Sequence, residues 1–228
     1  MKADTGRAGI VLAGGRSTRF GDGDKALATL AGRPLLCHAV EAVSPVVDDV
    51  LVSCRDDQRE AFESAVATDV TLVTDPIDDL GPVAGLRTAL CETDRHTAVV
   101  TPCDTPLIPS AFLGHLLDRV EQSTTAGVVI HADGYRQPLP TAVNARAAAA
   151  AATEALDTSG TLCDVVDALA PVAIPEHHVR ATVGLERLLN VNTRDDLARA
   201  ELVLARRSTG PVDRELTTDD GTVRPNNR

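Results

Sequence analysis

The sequence predicts an α/β fold in which a mostly parallel central sheet is covered by helices on both faces. Short apolar segments rich in β-branched residues alternate with helical patterns of about ten residues or more, the order expected of βα units. Several of the helical patterns begin at a proline. The length of 228 residues and the hydrophobic content of 43% are those of a protein with one sizeable core.

Seven segments have the composition of buried strands, with runs of Val, Ile, Leu and Ala and few charges. They are residues 8–13, 49–53, 70–74, 98–101, 127–131, 139–143 and 188–191. Most of them are separated by helical patterns, so we expect crossover connections and parallel pairing.

The helical patterns are residues 34–43, 57–67, 83–91, 109–122, 145–156, 162–169 and 194–206. Pro34, Pro82 and Pro109 stand where a helix begins, a position at which the missing N–H of proline costs nothing. Thr193 precedes the last helix as a candidate cap, and acidic residues fill its first turn.

After the last helix the sequence is rich in Thr, Asp, Pro and Gly and has no apolar period. We therefore expect a single domain over residues 1–207 and a disordered acidic, polar tail over residues 208–228.

The charge and the composition exclude two classes of function. With 22 basic against 33 acidic residues, a net charge of -11 and 2% aromatic residues, the chain lacks the basic patch and the stacking rings of a nucleic-acid binder. No apolar run approaches the roughly 18 residues of a membrane helix, and no signal peptide is recognised. We expect a cytoplasmic protein without nucleic-acid or membrane partners. The five cysteines are widely spaced and odd in number, so free thiols are expected.

Two further counts concern the surface. Aspartates make up 23 of the 33 acidic residues, and the chain has only two lysines, Lys2 and Lys25. Such a surface is typical of adaptation to high salt, where screening relieves the self-repulsion of the charge. A lysine inside a glycine-rich loop is therefore informative in this chain.

That loop follows the first strand and reads Leu-Ala-Gly-Gly-Arg-Ser-Thr-Arg-Phe-Gly-Asp-Gly-Asp-Lys-Ala-Leu from residue 12 to residue 27. Gly14 and Gly15 allow the backbone to approach a ligand, and Arg19 and Lys25 add positive charge. Neither the Walker pattern nor the dinucleotide-binding spacing is present. The pattern favours a site for a triphosphate over a merely flexible loop.

A second motif, Pro-Cys-Asp-Thr-Pro, places Asp104 at the end of the fourth predicted strand. A carboxylate at the carboxyl edge of a sheet is suited to a hard divalent cation, because Mg²⁺ takes one or two protein carboxylates together with phosphates and water. The alternative is a capping or turn aspartate before the helix at Pro109.

A third motif combines Asp75 with the segment Gly-Pro-Val-Ala-Gly that runs from Gly81 to Gly85. Glycines without side chains let the backbone close over a base, and Asp75 can accept from a guanine edge or a ribose hydroxyl. The alternative is a loop and helix start that only pack on the sheet.

The run from Leu12 to Leu27 resembles the L-A-G-G-x-S-x-R-x-G-x-x-K-x-L signature of the nucleotidyltransferases with a Rossmann-like fold, in particular the molybdenum cofactor guanylyltransferases. The motif around Asp104 and the segment Asn190-Val-Asn-Thr are similar as well, and the resemblance covers residues 10–205. It implies a three-layer Rossmann-like nucleotidyltransferase fold. It also implies transfer of GMP from GTP to the phosphate of molybdopterin, with release of pyrophosphate and formation of the guanine dinucleotide cofactor.

The resemblance implies roles for individual residues. Lys25, Arg19 and Asp104 would be catalytic, the first two neutralising the leaving pyrophosphate and Asp104 holding Mg²⁺ or Mn²⁺. The residues that would bind GTP are Leu12, Ala13, Gly14, Gly15, Lys25, Ser53, Asp75, Gly81, Gly85 and Asp104, with the amides of residues 13 to 15 on the triphosphate. Ser53 stands where the family often has asparagine. Gln137, Asn190 and Asn192 would contact the acceptor, and their alternative is a role as turn and cap residues.

Other functions stay open at this point. The opening signature is shared with cobalamin-pathway guanylyltransferases, molybdenum cofactor cytidylyltransferases and sugar-phosphate nucleotidyltransferases, and a GTP-binding regulator without turnover is a further alternative. The expected partners are GTP and molybdopterin, with other molybdenum cofactor biosynthesis proteins and apo-molybdoenzymes as candidates.

Overall fold

The computed structural model describes residues 6–16, 20, 23–66, 69–74 and 81–207. Within these ranges a seven-stranded sheet is packed between helices, which confirms the predicted fold class. The predicted tail, residues 208–228, lies outside the described residues.

The strands are β1 (Arg7–Leu12), β2 (Thr29–Leu30), β3 (Arg33–Pro34), β4 (Asp49–Cys54), β5 (Val70–Thr74), β6 (Thr97–Pro102), β7 (Gly127–Ala132), β8 (Tyr135–Asn144) and β9 (Val172–Ile174). The α-helices are α1 (Leu35–Val43), α2 (Arg59–Ala65), α3 (Pro82–Glu92), α4 (Ser110–Glu121), α5 (Ala145–Asp157), α6 (Leu162–Ala168), α7 (Glu176–Thr182) and α8 (Arg194–Arg207). Strands β2 and β3 form a separate two-stranded hairpin.

The main sheet has the order β5-β4-β1-β6-β8-β7-β9. Four of its six described neighbouring pairs are parallel, and β8 runs antiparallel to both β6 and β7. The chain adds β4 and β5 on one side of β1 and then crosses to β6 on the other. This reversal opens a crevice at the carboxyl ends of β1 and β6, the place where open α/β sheets bind ligands.

Alternate side chains of β1 pack into two hydrophobic cores, one on each face of the sheet. Ala8 and Ile10 are fully buried among residues of α3 and α5, whereas Val11 is fully buried among residues of α1 and α4. Gly9 faces α1 so closely that an added Cβ would overlap Val43. The strand that carries the glycine-rich loop is therefore fixed from both faces.

The predicted strand at residues 188–191 is wrong. Leu185–Leu188 is a 3-10 helix and the residues after it are loop. Val191 is fully buried in a third cluster with Leu30, Leu35 and Ala200, so its apolar character serves packing against the β2–β3 hairpin and α8. The edge position next to β7 belongs instead to β9, which is only three residues long and carries little pattern.

Helices α4 and α7 meet at His115 and His178, whose rings stack with centroids 5.8 Å apart and planes 19° apart. Burial lowers the pKa of His115, and the nearby charges of His178 and Arg119 lower it further, against an opposing effect of Asp118. No helix in the described ranges is long and apolar enough to cross a membrane.

Candidate active site

The site lies at the carboxyl edge of the sheet, where three parallel strands end at one level. Leu12, the last residue of β1, is in register with Ser53 of β4 on one side and Pro102 of β6 on the other. The loops that follow these strands therefore meet, and they carry the glycine-rich segment, Arg55 and Asp104.

Lys25 and Asp104 form the centre of the site. The Lys25 Nζ donates to Asp104 Oδ2 at 2.7 Å and to Asn192 Oδ1 at 2.9 Å. The side chains of Lys25 and Asp104 are only 15% and 21% exposed, so this ion pair is partly screened from water. Asp104 and Asn192, which lie 79 and 167 positions after Lys25 in the sequence, thus bind the same ammonium group.

Hydrogen bonds of Asp24 and Gln58 fix the backbone around Lys25. Residues 25–27 form a 3-10 turn in which the Asp24 carboxylate accepts from Ala26 N at 2.9 Å. The buried Gln58 amide donates to Ala13 O at 3.3 Å and also to the second carboxylate oxygen of Asp24. Gln58 therefore ties the end of β1 to the residue that precedes Lys25.

The glycine loop departs from the prediction at its first amide. Ala13 N donates to Ser53 O at 2.8 Å, so the hydrogen bonding of the sheet continues for one residue and this amide is not available to a triphosphate. Beyond it, Arg55 Nη1 donates to Gly14 O at 2.9 Å and to Gly15 O at 2.8 Å. In a trans peptide the carbonyl and the following N–H point in opposite directions, so Arg55 turns the next amides away from itself.

Ser53 and Gly85 mark where α3 approaches β4. Ser53 is 5% exposed, and an added Cβ at Gly85 would overlap its Oγ. Gly81, just before α3, has a φ of +78°, a left-handed conformation that glycine adopts at least cost. These residues line the same sheet edge, and their contact with a nucleotide stays a prediction. Arg19 and Asp75 lie outside the described residues.

The three predicted acceptor residues use their side chains on the protein itself. Asn190 Oδ1 accepts from Thr105 Oγ1 at 2.9 Å, Asn192 Oδ1 accepts from Lys25, and Gln137 Nε2 donates to Ala132 O at 3.1 Å. Asn192 also lies in a capped turn, because Asp196 Oδ2 accepts from the backbone N–H groups of Asn192 and Thr193.

A cavity of about 440 Å³ opens beside these residues. Its lining is Thr105, Ile130, Ala132, Asp133, Gln137, Leu139, Pro140, Leu185, Glu186, Leu188, Leu189, Asn190 and Arg199. Thr105 in this lining directly follows Asp104 in the sequence, so the cavity begins one residue away from the Lys25–Asp104 pair. Gln137 and Asn190 face it, whereas Asn192 does not belong to its lining.

The donor set fits a hard divalent cation. The oxygens near one another are the Asp104 carboxylate, the Thr105 hydroxyl and the amide oxygens of Asn190 and Asn192. Among the residues that the structure describes, no group of three or more His, Cys, Asp or Glu side chains could hold a metal by itself. One carboxylate completed by phosphate and water is the arrangement in which Mg²⁺ usually accompanies nucleotides.

Sequence reasoning did not find Asp24, Arg55 and Gln58 as parts of the site. Asp24 directly precedes Lys25, and the other two follow β4 at the same sheet edge as the glycine loop. The polar residues directly after β4 could have indicated this role, because parallel strands end together at this edge of the sheet.

The chain matches the family described as the MobA-like NTP transferase domain over residues 9–174. A relative from Haloferax mediterranei, named "Probable molybdenum cofactor guanylyltransferase", is 43% identical over 85% of this chain and 92% of its own length. The molybdenum cofactor guanylyltransferase of Burkholderia ambifaria is 31% identical over 83% of this chain and 87% of its own.

Among solved structures, molybdopterin-guanine dinucleotide biosynthesis protein A from Archaeoglobus fulgidus superposes with a TM-score of 0.74 at 26% identity, covering 87% of this chain and 99% of that one. A nucleotidyltransferase from Methanothermobacter superposes with a TM-score of 0.68 at 19% identity, a likeness of fold alone, over 89% of this chain and 99% of that one. With the Lys25–Asp104 pair at the expected sheet edge and these relatives over most of its length, the chain belongs to the MobA-like NTP transferases, in the group of the molybdenum cofactor guanylyltransferases.

Proposed function

We propose that this protein transfers GMP from GTP to the phosphate of molybdopterin, releasing pyrophosphate. The observation that carries the proposal is the Lys25–Asp104 ion pair of 2.7 Å in the crevice between β1 and β6, in a chain of the guanylyltransferase family. An ammonium at the end of the glycine loop and a carboxylate after β6 are suited to the positioning and charge neutralisation that phosphoryl transfer requires.

The donor nucleotide would be bound mainly by backbone and by Lys25. Arg55 holds the carbonyls of Gly14 and Gly15, and the amides that follow them would point away from Arg55. Lys25 provides a charged donor for the phosphates that leave, and Arg19 is the second cation that the sequence suggests.

Asp104 would hold Mg²⁺, or Mn²⁺ in its place, with the Thr105 hydroxyl and the amide oxygen of Asn190 close by. When bound, such an ion neutralises phosphate charge so that two anionic groups can approach. The ammonium of Lys25 has the same effect from the protein side.

The acceptor would enter through the cavity that Gln137 and Asn190 line. A phosphate group is ionised at pH 7, so the attacking oxygen needs no general base. The work of the protein is to place that oxygen in line with the leaving pyrophosphate. This agrees with the described part of the site, where a carboxylate paired with an ammonium lies at the centre.

The test is pyrophosphate release from GTP, CTP, ATP or UTP, each with and without molybdopterin and with Mg²⁺ or EDTA. We expect release only with GTP, molybdopterin and Mg²⁺ together. Asp104→Asn should lose most of the turnover while keeping the wild-type Tm, because a neutral amide is a poor ligand for Mg²⁺. Asp157→Asn, at the exposed end of α5, is the matched control and should turn over normally.

Three results would contradict the proposal. Release with CTP in preference to GTP would make the protein a cytidylyltransferase. Binding of Mg·GTP without release in the presence of molybdopterin would assign it a different acceptor. Normal turnover in Asp104→Asn would remove Asp104 from the mechanism.

A further inference from the structure

A segment near the end of the described chain reaches the catalytic lysine. Asn192 lies 167 residues after Lys25, beyond the region matched by the family domain, and its Oδ1 accepts from Lys25 Nζ at 2.9 Å. The acceptor role suggested by the sequence stays a prediction. The contact that the structure shows is with the Lys25 ammonium, and it gives Asn192 a role that does not depend on the acceptor.

The turn that carries Asn192 is fixed at both ends. On one side Val191 N donates to Asp104 O at 2.7 Å, and the Val191 side chain is fully buried. On the other side Asp196 Oδ2 accepts from Asn192 N at 3.1 Å, from Thr193 N at 3.0 Å and from Thr193 Oγ1 at 2.8 Å. The amide oxygen of Asn192 is thus presented to Lys25 by a backbone with little freedom.

The chemistry of an amide suits this position. A lysine side chain has many rotamers, and an ammonium donates up to three hydrogen bonds. Asp104 accepts one of them but is also the residue proposed to hold a cation. An amide oxygen accepts a second one without adding negative charge, so it can hold the ammonium while the carboxylate is shared.

We propose that Asn192 is a positioning residue that holds the Lys25 ammonium at the point from which it meets the phosphates of the nucleotide. The inference rests on the proposed function for the role of Lys25, whereas the contact itself is a property of the protein without ligands. Asn190, two residues earlier, bonds Thr105 and serves as the matched comparison.

The sequence allows the ammonium to be observed directly. Lys2 and Lys25 are the only lysines, so protein labelled with nitrogen-15 lysine gives two side-chain signals, and Lys2→Arg assigns them. In the ligand-free wild type we expect a Lys25 ammonium signal sharpened by slow exchange of its hydrogen-bonded protons. Asn192→Ala should broaden or remove this signal, and Asn190→Ala should leave it unchanged.

Asn192→Asp separates loss of the acceptor atom from disturbance of the turn. A carboxylate oxygen accepts as the amide oxygen does, so the signal should persist in this variant. An unchanged Lys25 signal in Asn192→Ala would overturn the inference, as would equal loss of the signal in the alanine and aspartate variants.

Mg·GTP binding gives the second readout. Asn192→Ala should weaken the affinity about tenfold, the size of effect expected for one charged hydrogen bond. If Asn192 acts through Lys25, adding Asn192→Ala to Lys25→Ala should change the affinity by less than about twofold. Equal effects in both backgrounds would show that Asn192 acts independently of Lys25 and would overturn the inference.

The two proposals fail in different ways. A wild-type protein that does not bind Mg·GTP refutes the proposed function, and the ligand-free lysine spectra still decide whether Asn192 holds the ammonium. Normal binding with uncoupled variants refutes only the positioning role.

Discussion

Replacing Arg55 tests whether the glycine loop depends on a side chain that directly follows the neighbouring strand β4. Arg55 is 22% exposed at its side chain and donates through Nη1 to the carbonyls of Gly14 and Gly15. Its Nε donates to Asp57, whose side chain is 70% exposed. Arg55→Met keeps the length of the stem and removes both bonds to the loop.

The expected loss follows from those two bonds. Near the surface, where water replaces a lost partner, each contributes about 1 kcal/mol, so the loop loses about 2 kcal/mol of ordering. If the ordering must then be supplied when the nucleotide binds, the Kd for Mg·GTP rises about 10- to 30-fold. If the full loss is also felt by the folded state, the Tm should fall by about 4 to 8 °C.

Calorimetric titration with Mg·GTP measures the effect. Arg55→Lys should recover only part of the affinity, since an ammonium cannot reproduce the planar donors of a guanidinium. Asp57→Ala is the control and should cost less than about threefold, because an exposed ion pair contributes about 1 kcal/mol or less. An Arg55→Met protein whose Kd is within twofold of wild type would refute the reasoning, and full recovery in Arg55→Lys would point instead to direct contact with phosphate.

Four other outcomes are expected. Gly85→Ala should lower the Tm in the wild-type background but not with Ser53→Ala, whose missing Oγ removes the overlap; a cycle that adds within about 0.5 kcal/mol would contradict this. Burial lowers the pKa of His115 in the folded state, so the folded protein loses stability as the pH drops below about 6.5 toward the folded pKa. The loss of Tm between pH 7.5 and 5.5 should therefore be smaller in His115→Gln than in the wild type. Equal losses in the two proteins would show that His115 does not cause the pH dependence. Burial, helped by the neighbouring carboxylate, raises the pKa of Cys103 to about 12, so mass spectrometry after alkylation of the native protein should find it unlabelled when the exposed cysteines are labelled, and early labelling would contradict its burial. The Tm should rise in molar KCl as screening relieves the charge of -11, and a flat or falling Tm would exclude adaptation to salt.

The repeating parts of the fold were predictable because their pattern is long. Strands β1, β4, β5 and β6 and the helices between them follow from apolar period and from prolines at helix starts. Strand β9 and helix α7 span only three and seven residues, which is too short for a period to emerge. The apolar run ending at Val191 was misassigned as a strand because burial in a loop and burial in a sheet leave the same composition.

The central pair of the site was also predictable, since Lys25 and Asp104 each stand after a strand that ends at the same sheet edge. The contact between Lys25 and Asn192 was not, because it depends on how the polypeptide returns from α7 to β6. The bond of the Ala13 amide to Ser53, in place of the predicted bond to a triphosphate, has a similar cause. Whether β1 continues its hydrogen bonding for one more residue depends on the neighbouring strand and not on local sequence.

In the part of the chain that the structure describes, the last strand of the sheet ends at Ile174, and Asn192, which accepts from Lys25, comes 18 residues later. During synthesis the sheet and its glycine loop can leave the ribosome before that partner does. A nascent or truncated polypeptide ending before Asn190 would contain the strands of the described sheet but would lack the contact of Asn192 with Lys25. The surroundings of Lys25 are thus completed only after the described sheet has been synthesised.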